Sequence, residues 1–194
     1  MSRRSSRKRK RSGNLEKQPV RGDGQCLYRS VLLATKHNNI APGNKFNKGI
    51  DKDVVDLRKA MIKYLEDGKG EVVVRFKDFL MDAKTGETLF DQVLQRVKAG
   101  YTESGNLRTP LKKEYWPGQP EIDLIKDTYK MNYVLLDKDM EKEYTTEKPL
   151  ETLEITPPMI FLVYSGNHYD WARVKDWSQF QTNVSMELKT KLKF

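Results

Sequence analysis

The segment Gly22–Val31 reads Gly-Asp-Gly-Gln-Cys-Leu-Tyr-Arg-Ser-Val and contains the only cysteine of the chain, Cys26. Glycines and an aspartate precede this cysteine, and an apolar segment with helical spacing follows it. The pattern predicts a helix over about residues 26–36, with the thiol in its first turn. Free backbone N–H groups and the helix dipole favour a thiolate there, and the same N–H groups can hold an oxyanion. We therefore interpret Cys26 as a candidate nucleophile.

A nucleophilic thiol needs a base, and the chain contains two histidines, His37 and His168. On the predicted helix His37 would lie about 16 Å from Cys26, because a helix rises about 1.5 Å per residue, whereas hydrogen bonding needs about 3 Å. His168 is distant in sequence, as is usual for catalytic cysteine–histidine pairs. Asp170 stands two positions later, on the same face of an extended strand, so its carboxylate is placed to orient the imidazole.

The composition restricts the class of protein. The 194 residues are 32% charged, which predicts one soluble domain without a membrane segment. No apolar segment of a signal peptide follows the basic N-terminus, and a single cysteine suggests a reducing compartment. We therefore expect a cytoplasmic or nuclear protein. One cysteine and two separated histidines argue against a zinc site, and we expect no metal or cofactor.

The formal net charge of +9 is concentrated in the N-terminal region. Seven Lys and Arg residues without an acid lie among the first twelve, so the remainder is nearly neutral. Residues 1–18 are predicted to form a disordered basic arm. Three interpretations stay open for this arm: a solubilising tail, a patch that contacts nucleic acid or an import receptor, and a contact tuned by serine phosphorylation. A catalytic domain over residues 19–176 and a polar extension or helix over residues 177–194 would follow.

Hydrophobic periodicity predicts an α+β fold, or α/β sandwich, in which helices precede strands. Residues 71–81 fit a strand or a helix equally well, and residues 101–118 resemble a loop. The predicted helices after the cysteine helix cover residues 51–67, 87–98 and 120–129, and the predicted strands cover residues 131–136, 159–164 and 169–174.

Three blocks of this sequence together resemble the OTU (ovarian tumour) family of cysteine proteases. The run Asp23–Tyr28 matches the family block D-G-x-C-L-[FY]. The segment from Tyr115 to Ile122 resembles the block W-G-x-x-x-E, with Pro-Gly where a single glycine is usual. The strand before His168, with the His-Tyr-Asp that follows, matches the third block. The resemblance covers about residues 20–175.

The resemblance implies an OTU-type fold, with a small central β-sheet flanked by helices, and a deubiquitinase that hydrolyses isopeptide bonds at the ubiquitin C-terminus. Cys26 would be the nucleophile, His168 the general base and then acid, and Asp170 the group that orients it. Asp23 would shape the loop and cap the cysteine helix, while backbone N–H groups around Gly24 and Gln25 would hold the oxyanion.

Ubiquitin or polyubiquitin would be the partner, through a narrow channel for its diglycine end. Trp116, Tyr169 and Trp171 are candidate channel residues by position, and plain core packing is the alternative for each. Two other functions stay open: hydrolysis of another ubiquitin-like modifier, and nucleic-acid binding through the basic arm by an idle domain. The small size and the basic arm would suit a viral or bacterial protein that acts on host ubiquitin.

Overall fold

The computed structural model describes residues 11–38, 50–148, 153 and 159–177. These residues form five α-helices and six strands, together with short 3-10 turns at Arg11–Asn14 and Lys113–Tyr115. The helices are α1 (Cys26–Asn38), α2 (Ile50–Asp67), α3 (Glu71–Asp78), α4 (Leu89–Ala99) and α5 (Gln119–Tyr129). The strands are β1 (Leu15–Gln18), β2 (Leu80–Asp82), β3 (Glu87–Thr88), β4 (Asn132–Leu136), β5 (Met159–Tyr164) and β6 (Tyr169–Val174). The predicted α+β class is confirmed.

The main sheet has the strand order β1-β6-β5-β4, in which β4 and β5 are parallel and the other pairs are antiparallel. Strand β5 reads as a continuous apolar run because both of its faces are buried. Ile160 and Leu162 face a core shared with the helices, whereas Phe161 and Val163 face a smaller core on the opposite side.

Helix α1 packs on the first of these faces. Leu27, Tyr28 and Ala34 are fully buried, because α1 packs against strands β5 and β6 and against α2. Cys26 is the first residue of this buried helix, as predicted, and His168 immediately precedes β6. The packing of α1 on β6 therefore brings Cys26 and His168, which lie far apart in the sequence, to the same region of the fold.

The prediction of a disordered arm is wrong for residues 11–18. Leu15 is 4% exposed and packs in the smaller core, and β1 pairs antiparallel with β6 in the register Leu15↔Val174. The polar residues of β1 are stabilised by backbone pairing along the edge of the sheet, which composition does not reveal. Residues 1–10 lie outside the described residues, as do residues 178–194 of the predicted C-terminal extension.

The other predicted helices and strands are confirmed to within two residues at each end. The ambiguous segment 71–81 contains both structures, since α3 is followed by β2, which pairs with β3 in a two-stranded sheet that was not predicted. Among the described residues, no helix is long and apolar enough to cross a membrane.

Candidate active site

Cys26 and His168 line the same small cavity, of about 180 Å³, at the start of α1. Its other walls are Gly22, Gly24, Trp116 and Asn167. The side chain of His168 is 25% exposed, and its Nδ1 lies on the side of Gly22, where an added Cβ would approach this nitrogen to 3.4 Å. The structure thus brings together the thiol and the imidazole that the sequence pairs.

The other ring nitrogen of His168 faces Asp170. Its Nε2 lies 2.9 Å from Oδ1 of the buried Asp170 carboxylate. The same carboxylate accepts a hydrogen bond from the backbone N–H of Val20 at 3.0 Å and pairs with Nζ of Lys17 at 3.1 Å. Burial alone would raise the pKa of Asp170, but the Val20 N–H, the Lys17 ammonium and His168 together hold it below its ordinary value. An ionised Asp170 accepts from Nε2–H, which leaves Nδ1 of His168 as the basic nitrogen.

The thiol of Cys26 is subject to opposing influences. Burial raises its pKa, and the nearby charge of Asp23 acts in the same direction. Backbone N–H groups at Tyr169, Leu27 and Cys26 itself lower the pKa, but burial outweighs them. The net pKa of the Cys26 thiol is therefore raised, in the direction opposite to that expected from the helix terminus.

Asp23 organises the loop before Cys26. Its Oδ1 accepts from the backbone N–H of Gln25 at 3.1 Å and from the guanidinium of Arg29, and its Oδ2 accepts from Nε of Arg21 at 2.8 Å. Arg29 also donates to Asp51 at 2.8 Å, which ties the loop to α2. Burial would raise the pKa of Asp23, but Arg29 and the Gln25 N–H lower it below its ordinary value. Asp23 therefore acts as an ionised anchor of the loop.

Position 24 requires glycine for two reasons: its backbone conformation and the close approach of neighbouring side chains. Its φ is +83°, and a Cβ at this position would lie 2.6 Å from Nε1 of Trp116 and 2.8 Å from Cβ of Leu111. The indole N–H of Trp116 donates to the Leu111 carbonyl at 2.9 Å, and the Leu111 N–H donates to the Asp23 carbonyl at 2.9 Å. These hydrogen bonds hold the segment before α5 against the loop that precedes Cys26, which we call the nucleophile loop.

The aromatic residues predicted as channel candidates separate into two groups. Trp116 is half-buried and lines the cavity. Tyr169 and Trp171 are buried in the core beneath α1 and do not line this cavity, so the structure favours packing for these two. His37 is exposed, and its ring contacts Trp171 with the centroids 5.5 Å apart.

Glu121, from the segment that resembles W-G-x-x-x-E, has a structural role. It is fully buried, receives a 2.6 Å hydrogen bond from Arg96, and accepts the backbone N–H of Gly118 at 2.8 Å at the start of α5. Across the described ranges, no group of three or more His, Cys, Asp or Glu residues is arranged to hold a metal ion.

Comparison with known proteins identifies the family of this chain. A family model described as OTU-like cysteine protease matches residues 21–170. No curated protein matches the chain. A solved structure of an OTU deubiquitinase from Wolbachia pipientis wMel is 12% identical, with a TM-score of 0.50 over 88% of this chain and 96% of that one.

Two other solved structures are similar at lower TM-scores. An OTU domain in complex with ubiquitin is 20% identical, with a TM-score of 0.48 over 88% of this chain and 81% of that one. The viral OTU domain protease from Farallon virus is 17% identical, with a TM-score of 0.44 over 82% of this chain and 84% of that one.

Proposed function

This chain belongs to the OTU-like cysteine protease family, and we propose that it is a deubiquitinase, which hydrolyses isopeptide bonds at the C-terminus of ubiquitin. The observation that carries the proposal is the shared cavity of Cys26 and His168, with Asp170 hydrogen-bonded to the far side of the imidazole. This is the arrangement in which a base removes the thiol proton while a carboxylate fixes its tautomer.

In the first half of the reaction, Nδ1 of His168 takes the proton of Cys26, and the thiolate attacks the carbonyl carbon of the terminal glycine. The carbonyl oxygen becomes an oxyanion, which the backbone N–H groups of the loop before α1 stabilise. The tetrahedral adduct then collapses to a thioester, and the imidazolium of His168 gives its proton to the leaving lysine amine.

The second half regenerates the enzyme. His168 removes one proton from water, and the resulting hydroxide attacks the thioester, which releases the ubiquitin carboxylic acid and the thiolate of Cys26. The acid loses its proton to solvent, and the imidazolium returns its proton to the thiolate. The ionised Asp170 stabilises the imidazolium that forms in both halves. Because the pKa of the buried thiol is raised, this proton transfer to His168 is the step that supplies the nucleophile.

The walls of the cavity support a substrate that ends in small residues. Gly22, Gly24 and Trp116 line the cavity beside Cys26, and its volume is only about 180 Å³. A chain that ends in two glycines, as ubiquitin does, suits so small a space, because glycine has no side chain.

The test is reaction with ubiquitin that carries a thiol-reactive group at its C-terminus. We expect a covalent adduct with the wild-type protein, none with Cys26→Ala, and a strongly slowed reaction with His168→Ala. His37→Ala is the matched control, because this histidine lies outside the cavity, and it should react at the wild-type rate. A folded protein that fails to react with this probe would contradict the proposal. Reaction with probes of other ubiquitin-like modifiers instead would identify the alternative substrate.

A further inference from the structure

Behind the nucleophile loop, α2 carries a guanidinium that is completely buried. Arg58 is 0% exposed, and its Nε and Nη2 donate to Oε1 of Gln25 at 3.1 and 2.6 Å. Its Nη1 donates to the backbone carbonyls of Arg96 and Val97, both at 3.0 Å, and the guanidinium lies 4.0 Å from the ring centroid of Tyr28. All of these partners are neutral acceptors, so the arrangement is directional hydrogen bonding rather than an ion pair.

The other end of this contact is the residue before the nucleophile. Gln25 is 0% exposed, and its Nε2 donates to the carbonyls of Gly100 at 3.1 Å and Arg108 at 2.9 Å. Its side chain therefore fills its hydrogen-bonding capacity inside the protein and points away from the cavity that Cys26 lines. Gln25 joins the loop at the start of α1 to α2 and to the end of α4.

The close approach at Gly100 shows that the space is built for the guanidinium. A Cβ on Gly100 would lie 2.0 Å from Cζ of Arg58. Burial removes the hydration of the guanidinium, and the loss is offset by hydrogen bonds to neutral oxygens and by the nearby charge of Glu121. These hydrogen bonds join the residue before Cys26 to the last turn of α4.

We propose that Arg58 is a positioning residue for the reaction: it holds the Gln25 side chain and so fixes the backbone N–H groups beside Cys26 in the direction of the oxyanion. The contact is bidentate, from Nε and Nη2 to a single oxygen, and restricts rotation of the Gln25 side chain. Gln25 is covalently continuous with the peptide N–H of Cys26, so a fixed side chain limits the orientation of that N–H. This inference rests on the proposed function for the identity of the substrate. The positioning by Arg58 would act on the oxyanion of any acyl group at Cys26.

The experiment separates oxyanion binding from reactivity of the thiol. A diglycine aldehyde adds to Cys26 as an Sγ–C bond forms and the thiol proton passes to the former carbonyl oxygen, which occupies the oxyanion position. Iodoacetamide alkylates the same thiol by displacing iodide and develops no oxyanion. In Arg58→Met and Arg58→Lys we expect aldehyde affinity to fall by about tenfold or more, with alkylation within about twofold of wild type.

Amide hydrogen exchange supplies a readout without any ligand. We expect the peptide covering residues 23–27 to exchange faster in both Arg58 variants, while the strands of the main sheet keep their protection. Val93→Ala is the matched control, because Val93 is a fully buried core residue of α4 whose side chain forms none of the Gln25 hydrogen bonds. It should lower the denaturation midpoint but leave the ratio of aldehyde affinity to alkylation rate unchanged.

The outcomes are distinct. If the Arg58 variants and Val93→Ala alter exchange and the ratio alike, Arg58 is only a core residue and the proposal is overturned. Arg58→Lys keeps the charge and serves if Arg58→Met fails to fold. If the wild-type protein binds the aldehyde but not the ubiquitin probe, the proposed substrate is wrong, while the comparison of variants still decides the role of Arg58. If the folded wild-type protein does not bind the aldehyde, the loop holds no oxyanion and the inference is refuted.

Discussion

Replacing Gly24 with alanine tests the fit between the nucleophile loop and the segment above it. Two effects add, because φ is +83° and the new Cβ would lie 2.6 Å from Trp116 and 2.8 Å from Leu111. A side chain in the left-handed region costs about 1–2 kcal/mol. Forcing an extra carbon into a packed site costs about 1–3 kcal/mol. The free energy of unfolding of Gly24→Ala should therefore fall by about 2–5 kcal/mol.

Gly86→Ala is the matched control for the conformational part of this loss. The φ of Gly86 is +74°, similar to that of Gly24, but nothing lies within 4 Å of an added Cβ. Its free energy of unfolding should fall only by about 1–2 kcal/mol. Urea denaturation of both variants and the wild type measures the two losses, and their difference reports the contact with Trp116 and Leu111.

The two variants should also differ in their rate of reaction with the ubiquitin probe. To accept the methyl group of Gly24→Ala, either Trp116 or the loop must move, and a displacement of about 1 Å at a reacting centre can reduce the rate about 100-fold. We expect Gly24→Ala to react about 100-fold more slowly with the ubiquitin probe, and Gly86→Ala to react at the wild-type rate. Equal losses of stability in the two variants, or a wild-type rate for Gly24→Ala, would refute the reasoning.

Three further predictions concern single contacts. The lowered pKa of Asp23 means that its ionised form stabilises the protein above an unfolded-state pKa of about 3.9, and that this stabilisation is lost as the pH falls through the lower folded-state value. Asp23→Asn should therefore lose less stability than wild type in acid denaturation below about pH 4, and an unchanged acid limb would contradict this role. Leu15→Ala should reduce the free energy of unfolding by about 2–3 kcal/mol in urea, because Leu15 is 4% exposed; a neutral effect would mean that β1 is dispensable. Trp116→Phe removes the indole donor to Leu111 and should reduce stability by about 1 kcal/mol, whereas a loss below measurement error would show that this bond contributes nothing.

The elements that the sequence predicts correctly are those whose buried faces produce a local pattern of apolar residues. Strand β5 is an uninterrupted apolar run because both of its faces are covered, and α2 shows helical spacing because one of its faces is buried. The candidate pair Cys26 and His168 could be predicted because the chain has one cysteine and only two histidines. Geometry along a single helix was enough to set His37 aside.

Strand β1 shows why other parts of the fold were not predictable. Only Leu15 in this strand is apolar, and its partner Val174 is far away in sequence. Backbone hydrogen bonds between distant segments leave no trace in the composition of either segment. The polar segment therefore resembled the basic residues before it, although it completes the edge of the main sheet.

Arg58 is a different case, because a signal was present. Val54, Leu57, Met61 and Leu65 define the buried face of α2, and position 58 lies within that stripe on a helix of 3.6 residues per turn. A charged residue on a buried face must find hydrogen-bond partners. The stripe could have predicted that Arg58 is buried, but not that its partner is Gln25, because that contact depends on how α1 and α2 pack.

The strand that the sequence missed also bears on the chemistry. Burial raises the pKa of the Cys26 thiol, so in the proposed mechanism the nucleophile is generated by His168, and His168 is oriented by an ionised Asp170. Two of the groups that keep Asp170 ionised, the Lys17 ammonium and the Val20 N–H, precede the residues 21–170 that match the family. A chain cut back to the matched residues would keep Cys26, His168 and Asp170 but lose β1 and both of these partners. The proposed site therefore extends beyond the residues that match the family, because the pairing of β1 with β6 places Lys17 beside Asp170.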